Sequence, residues 1–247
     1  MEIFTQTKGP TNCAAATETR IGGADIEIPT RQQSFTIVGV CLRAANVAED
    51  LAAAGILELK INTTNGPFKF VVCNGIGGAT GNAMGLPENI PMNIPINGGA
   101  KVGIYCTFPN ATVDVVAELQ YVNGRQGKIT YSDAPALTAS IAADTRGSIG
   151  SITLLPGQWT LTKFRWVGGN VVDAKSRAGV LELTGGSIIA AEHILGVGMG
   201  AGASAQGNSQ PAEVKELGIP HSGAVTLTVY ATMAEAYLHL GYSIQYE

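Results

Sequence analysis

The chain repeats itself, and the repeat limits the fold before any single motif does. The stretch Asn46–Leu59 returns 124 residues later as Asn170–Leu183, with Asn46/Asn170, Val47/Val171, Ala54/Ala178, Gly55/Gly179, Leu57/Leu181, Glu58/Glu182 and Leu59/Leu183 identical. Further landmarks follow in the same order: Ile94-Pro95 with Ile219-Pro220, Tyr105 with Tyr230, and Gln120-Tyr121 with Gln245-Tyr246. Upstream, Ile28-Pro29 matches Leu155-Pro156 with a three-residue slip. A chain of 247 residues has room for one or two domains, and the duplication decides for two. The expected organisation is an N-terminal arm over 1–20, a first unit over 21–124, a linker over 125–145 and a second unit over 146–247.

Inside each unit the pattern is that of strands. Leu57, Leu59 and Ile61 fall on one side of a strand and Glu58 and Lys60 on the other. Asn65-Gly66 is a hairpin signal, and Phe68, Phe70 and Val72 alternate on the return strand; Gly185-Gly186 is the corresponding turn. Near the end, Leu240, Tyr242, Ile244 and Tyr246 alternate with Gly241, Ser243 and Gln245. Pro91 and Pro95 confine their segment to a short or edge strand. Asp50–Ala54 reads as one helical turn stopped by Gly55. Asp133 reads as the N-cap of a short linker helix, with Pro135 in its first turn, ending near Ala143. The polar residues 1–20 read as an arm laid across a neighbouring subunit or as a frayed terminus. The fold class is all-β: two tandem jelly-roll-like β-sandwiches of seven or eight strands, with short helical turns and a short linker helix.

Composition bears on partners. Only 14% of residues are charged, against about 25% in an ordinary soluble domain. A chain this poor in charge and 45% hydrophobic is expected to cover its surface with other subunits, because obligate interfaces are depleted in charge. With a net charge of -4 and no cluster of Lys and Arg, direct nucleic-acid binding is not expected. No apolar run approaches the ~18 residues of a membrane helix, and the first eight residues lack the features of a secretory signal. The four cysteines, Cys13, Cys41, Cys73 and Cys106, all precede the second unit. Their spacing fits neither a metal knuckle nor a redox pair, so they read as small apolar residues folded in a reducing interior.

Motifs that carry chemistry are weak. Gly196–Ala203 resembles a dinucleotide fingerprint, but no helical pattern follows it. His193, His221 and His239 form no His-x-His pair of the kind a metal-dependent barrel needs. No Gly-x-Ser-x-Gly elbow occurs, and a cysteine–histidine pair would have to join Cys41, Cys73 or Cys106 to the other unit. Glu58 and Glu182 belong to separate copies and read as solvent-facing strand residues or as groups hydrogen-bonded to a neighbouring loop. Asp50, Asp173 and Glu213 lie in no dense acidic loop of the kind that holds calcium. Asn62 and Asn110 stand in glycosylation sequons. The reading assigns no catalytic, cofactor-binding or metal-binding residue, expects no cofactor, and expects no enzyme.

Two similar sandwiches joined by a short structured linker resemble the double jelly-roll major capsid proteins of viruses, the adenovirus- and tectivirus-like lineage with its archaeal and bacterial members. The resemblance rests on the strand count, the turn ahead of Gly55 and Gly179, and the long loops after Cys73 and Gly196. The chain departs from that lineage in its small units and in having no long tower insertions. The resemblance implies a homotrimer whose six sandwiches form a pseudo-hexagonal tile, and a shell built of such tiles with other capsid proteins as further partners. It also implies a place in the virion after assembly in the host cytoplasm. The rival reading is a carbohydrate- or ligand-binding double β-sandwich. Such a module presents aromatic platforms on one face, whereas Trp159 and Trp166, seven residues apart, fall on opposite faces of a regular strand.

Overall fold

The computed structural model describes residues 2–31, 34–45, 53–63, 66–76, 88–108, 113–137, 141–169, 177–186, 194–199, 213–233 and 239–247. The first half comprises β1 (Ile3–Cys13), β2 (Thr19–Arg20), β3 (Ile26–Glu27), β4 (Ser34–Ala45), β5 (Ala53–Thr63), β6 (Gly66–Ile76), β7 (Glu88–Asn97), β8 (Lys101–Thr107) and β9 (Val113–Asn123). The second comprises β10 (Tyr131–Asp133), β11 (Gly147–Thr153), β12 (Gln158–Gly169), β13 (Arg177–Thr184), β14 (Ile194–Met199), β15 (Glu213–Ser222), β16 (Thr226–Met233) and β17 (His239–Tyr246).

The two halves have one topology. One sheet runs β1-β9-β4-β7 and its counterpart β10-β17-β12-β15; the other runs β2-β8-β5-β6, with β3 also on β8, and its counterpart β11-β16-β13-β14. Each half is therefore an eight-strand, double-sheet jelly roll, with the split pair β2 and β3 standing where the second half has β11. Strands β7 and β15 lie at sheet edges, which is where Pro91, Pro95 and Pro220 are tolerated.

Alternation builds the cores. Leu57, Leu59, Ile61, Phe70 and Val72 are buried between the sheets of the first half, and Leu181, Leu183, Leu227 and Val229 in the second. Gly55 is in mid-sheet, paired with Asn74 on one side. A Cβ there would lie 2.6 Å from the ring of buried Phe108 and 2.9 Å from the Thr107 carbonyl oxygen. At Gly179 a Cβ would meet Met233 Sδ and lie 2.6 Å from the Thr232 carbonyl oxygen. The repeated glycine is therefore a close-approach position, where a large core side chain crosses the neighbouring strand.

Both halves also carry the same bulge. The register of β4 shifts between Ile37 and Gly39, and that of β12 between Leu161 and Lys163. The extra residue restores inward facing for the following positions. Phe35, Ile37, Val40 and Leu42 thus all reach the first core, and Leu161, Phe164 and Trp166 the second, with Trp159 packed against it. The expectation that Trp159 and Trp166 face opposite ways is corrected: the bulge changes the phase between them.

Four further expectations give way. Residues 1–20 are no arm, because Ile3–Cys13 forms β1 and pairs with β9. Its counterpart is β10 on β17, and both pairs carry a stacked ring couple: Phe4 with Tyr121 at 5.6 Å and Tyr131 with Tyr246 at 5.5 Å. Asp133 caps no helix; it ends β10 and accepts a hydrogen bond from Tyr246 at 3.0 Å. Residues 134–137 are not helical, and Ala143 forms an isolated bridge with Met233. Packing between the halves outweighs the local signal there. Ala53 and Ala54 open β5 instead of ending a helical turn, and the rest of that turn, Asp50–Ala52, lies outside the described residues. The hairpin β5–β6 also turns one residue early, since Gly66 already pairs with Thr63.

Candidate interaction surfaces

The residues of β5 and β6 that point away from the first core form a row of Ile56, Glu58, Val71 and Cys73. Opposite them lies the outward row of the second half: Ser132 on β10, Arg165 and Val167 on β12, and Ser243 and Gln245 on β17. All five are buried although four are polar. They are buried because β5–β6 covers them, which is why β17 is inaccessible on both faces from Leu240 to Tyr246. The contact is specific. The Ser132 hydroxyl donates to the Val71 carbonyl at 2.6 Å, and Cys73 Sγ lies 3.5 Å from both the Arg165 carbonyl and Ser243 Oγ. The Phe68 and Tyr131 rings meet at 5.6 Å. Cys73 and Val167 form a small buried cluster with Ile56 and Leu137. Gly241 makes room for it, since a Cβ there would collide with Leu137 Cδ2. Beside this contact a cavity of about 460 Å³ is lined by Ile56, Glu58, Val71, Pro135 and Leu137 among others.

The halves therefore meet head to tail, through unlike faces. On the second half, the outer face of β13 carries half-buried Val180 and Glu182, and the neighbouring rows of β11 and β16 carry exposed Ser151, Thr153 and Thr226. Ser151 bonds Thr228 at 2.8 Å and Thr153 bonds Thr226 at 3.1 Å, giving a flat uncharged ladder of hydroxyls. On the first half, the outer face of β1, β9 and β4 carries Thr5, Val116, Glu118, Gln120, Cys41 and Arg43, all half-buried or exposed.

The matched acids sit in matched settings. Glu58 pairs across the sheet with Tyr105, and Glu182 with Tyr230. Each tyrosine ring is covered by a cation: Lys60 at 4.1 Å over Tyr105 and Arg146 at 3.6 Å over Tyr230. Glu182 is bonded to Arg146 at 2.6 Å and Glu58 to Lys69 at 2.8 Å. Lys60 also holds Glu18 at 2.8 Å, and that hydrogen bond pulls the Glu18 carboxyl below the usual range. These are surface ion pairs that fix strand faces, not an acid–base couple.

A cavity of about 710 Å³ on the second half is lined by Gln158, Trp159, Gly186, His221, Ser222 and Glu247 among others. His221 is buried, and neither ring nitrogen is hydrogen-bonded to a described residue. Trp159 presents a half-buried ring, its Nε1 donating to the Leu155 carbonyl at 2.6 Å and its edge set against Tyr131 and Tyr246. Sequence reasoning named His221 and Trp159 but had no means of joining them, since 62 positions separate two strands that only the register pairs.

The other residues singled out in sequence are dispersed. Gly196 and Gly198 lie in β14, paired with Val180 and Ala178, so the glycine run starts as a strand; positions 200–203 lie outside the described residues. His239 begins β17 and Glu213 begins β15, while His193, Asp50, Asp173 and Asn110 lie outside the described residues. Asn62 is exposed on β5. Cys13 is buried, and burial together with Asp114 pushes its thiol up to about 11. Cys41 is half-buried on β4, with its thiol raised by burial. Among the described residues no group of three His, Cys, Asp or Glu is placed to hold a metal ion, and no helix is long and apolar enough to cross a membrane.

No protein-family model matches the chain, and no curated protein matches it in sequence. Among solved structures, PNGF-II aligns with 99% of this chain at a TM-score of 0.47 and 9% identity; the chain spans 64% of that protein's length. A chain of infectious bursal disease virus Gx strain aligns with 99% of this chain at a TM-score of 0.27 and 8% identity, with 72% of its own length covered. A chain of the T13 infectious bursal disease virus particle gives 0.26, 7%, 100% and 73% for the same quantities. Likenesses this distant carry no argument about function. The strand order of the chain itself defines its class: a tandem pair of jelly rolls.

Proposed function

We propose that this chain is a self-assembling shell subunit: a viral major capsid protein that forms trimers, presents six sandwiches as a pseudo-hexagonal tile, and closes into a virion shell with other copies. The observation behind the reading is the buried head-to-tail contact between two jelly rolls of identical strand order. A pair fixed in this way is a building block with a set angle between its halves, and repetition of a head-to-tail contact closes rings when the angle permits. The low share of charged residues fits surfaces that other copies cover. On this reading the protein works through its interfaces, without catalysis or cofactor. Size-exclusion chromatography with light scattering tests it: a trimer or larger closed species is expected at micromolar concentration, with hexagonal outlines in negative stain. A monomer at that concentration refutes it.

A second reading, a carbohydrate- or ligand-binding module, is favoured by one observation, the cavity that brings Trp159 beside Gln158 and His221. Titration with a panel of neutral and acidic oligosaccharides, followed by tryptophan fluorescence, decides it. A saturable change that Trp159→Ala removes supports it, and a flat response across the panel removes it.

A further inference from the structure

The two copies are controls for each other at one end of the sandwich. In the first half, Phe35 on β4 pairs with Ile96 on β7, and the next rung joins Thr36 to Val122. Phe35, Ile96 and Val122 are buried and apolar, so this end is closed. In the second half the same rungs join Trp159 to His221 and Thr160 to Glu247. Ile61, buried in the first copy, becomes Gly185 at the spacing of the repeat. Every exchange adds a polar group or removes bulk, and the cavity of about 710 Å³ stands at this end. The fold does not require these exchanges, since the first copy closes without them. We infer that the cavity is a binding site for a short neutral saccharide, and that His221 is the residue that selects it. The inference rests on the ligand-binding reading above and names the ligand class.

His221 carries most of the argument. It is 7% exposed, it lines the cavity, and neither ring nitrogen is hydrogen-bonded to a described residue. A buried donor or acceptor without a partner lowers stability, so the ring fits a ligand better than it fits a core. An uncharged imidazole offers one N–H and one lone pair. A hydroxyl answers both, because it donates and accepts; a carboxylate only accepts, and an ammonium only donates. Gln158 and Ser222, paired on the adjoining rung, also line the cavity and can also do both. The two charges in the lining, Lys128 and Glu247, lie 3.3 Å apart and give the site no net sign.

Trp159 supplies an apolar surface for the C–H face of a sugar ring. Tyr131 and Tyr246 hold it edge-on, with centroids at 5.0 and 5.2 Å. Gly186 keeps the edge of the imidazole clear: a Cβ there would lie 2.6 Å from Cε1 and 3.2 Å from Nε2 of His221. The volume falls within the range of about 300–1,000 Å³ common to small-ligand sites, which pair an aromatic lining with a few placed polar groups.

The test is isothermal titration calorimetry on the intact chain with three neutral saccharides (maltotriose, lactose and chitobiose) and one acidic one, digalacturonate. The variants are His221→Ile, which restores the residue of the first copy, Gly186→Ala, and Thr153→Ala on an exposed row of β11 as control. Circular dichroism melting checks that each is folded. At least one neutral saccharide is expected to bind one-to-one, with digalacturonate about tenfold weaker or more. His221→Ile and Gly186→Ala are each expected to weaken binding by about tenfold or more, and Thr153→Ala to leave it unchanged. His221→Ile is also expected to melt no lower than the parent, whereas a histidine kept for structure would show a drop. A neutral saccharide bound equally well by His221→Ile and Gly186→Ala, or a preference for digalacturonate, overturns this assignment and leaves the ligand-binding reading standing. No binding of any saccharide overturns both.

Discussion

Replacing Gly55 by alanine is the sharpest test of why the repeat keeps a glycine in mid-strand. In an unobstructed strand the change stabilises a protein by about 0.4–1 kcal/mol, because the unfolded chain loses freedom. Here the new methyl group would sit 2.6 Å from Cδ1 and Cε1 of Phe108 and 2.9 Å from the Thr107 carbonyl oxygen. Phe108 is wholly buried and cannot swing aside, and the carbonyl belongs to the ladder between β5 and β8. Overpacking of this kind costs about 1–3 kcal/mol. The net expectation is a loss of about 1–2 kcal/mol, which moves the urea midpoint of the first half down by roughly 0.5–1 M at an m-value of about 2 kcal/mol/M. The double variant Gly55→Ala, Phe108→Leu, with a smaller side chain in the way, should lose less than the sum of the two single changes, since contacting residues couple. An alanine variant as stable as the parent, or strict additivity with Phe108→Leu, would refute the steric explanation.

Three other outcomes follow from the same geometry. Burial raises the Asp133 carboxyl, opposed in part by the hydrogen bond from Tyr246. A folded-state value above the unfolded one means that stability is greatest below the unfolded value and falls as pH rises through the folded one. Asp133→Asn, which keeps an acceptor for Tyr246, should therefore flatten the melting temperature against pH above about pH 4, whereas the parent declines over that window. Ser132→Ala removes the hydrogen bond to Val71 and should cost about 1 kcal/mol, read as a lower urea midpoint. Gly241→Ala should lever Leu137 out from between the halves, exposing residues 134–137 to limited proteolysis while each half keeps its strand circular-dichroism signal.

The parts of the fold legible in sequence were those where one face of a strand is dry and the other wet. Leu57, Leu59 and Ile61 against Glu58 and Lys60 announce β5, and the constant spacing of the copies announces the duplication. β1 was not legible, because it is an edge strand alternating between half-buried and exposed positions and carries Thr, Gln and Lys instead of an apolar row. β10 has only three residues, and its equivalence to β1 lies in the ring stacks of Phe4 and Tyr131, which chain order does not reveal. The tryptophans misled because period-two reasoning assumes an unbroken strand, and the bulge in β12 adds one residue between them. The surface joining the halves was hidden for a different reason. Ser132, Ser243 and Gln245 look like solvent residues, and the row that covers them, Ile56, Glu58, Val71 and Cys73, is not matched by an apolar row on their side.

Both tryptophans lie in the second jelly roll and all four cysteines in the first. The molecule is thus labelled at both ends by its own composition. Indole fluorescence follows the unfolding of Trp166 and its surroundings, and trapping of the thiols of Cys13 and Cys106, both shielded in the first core, follows the other half. If the two signals move together as denaturant rises, the pair melts as one cooperative body; if they separate, the gap between the midpoints measures how strongly each half steadies the other.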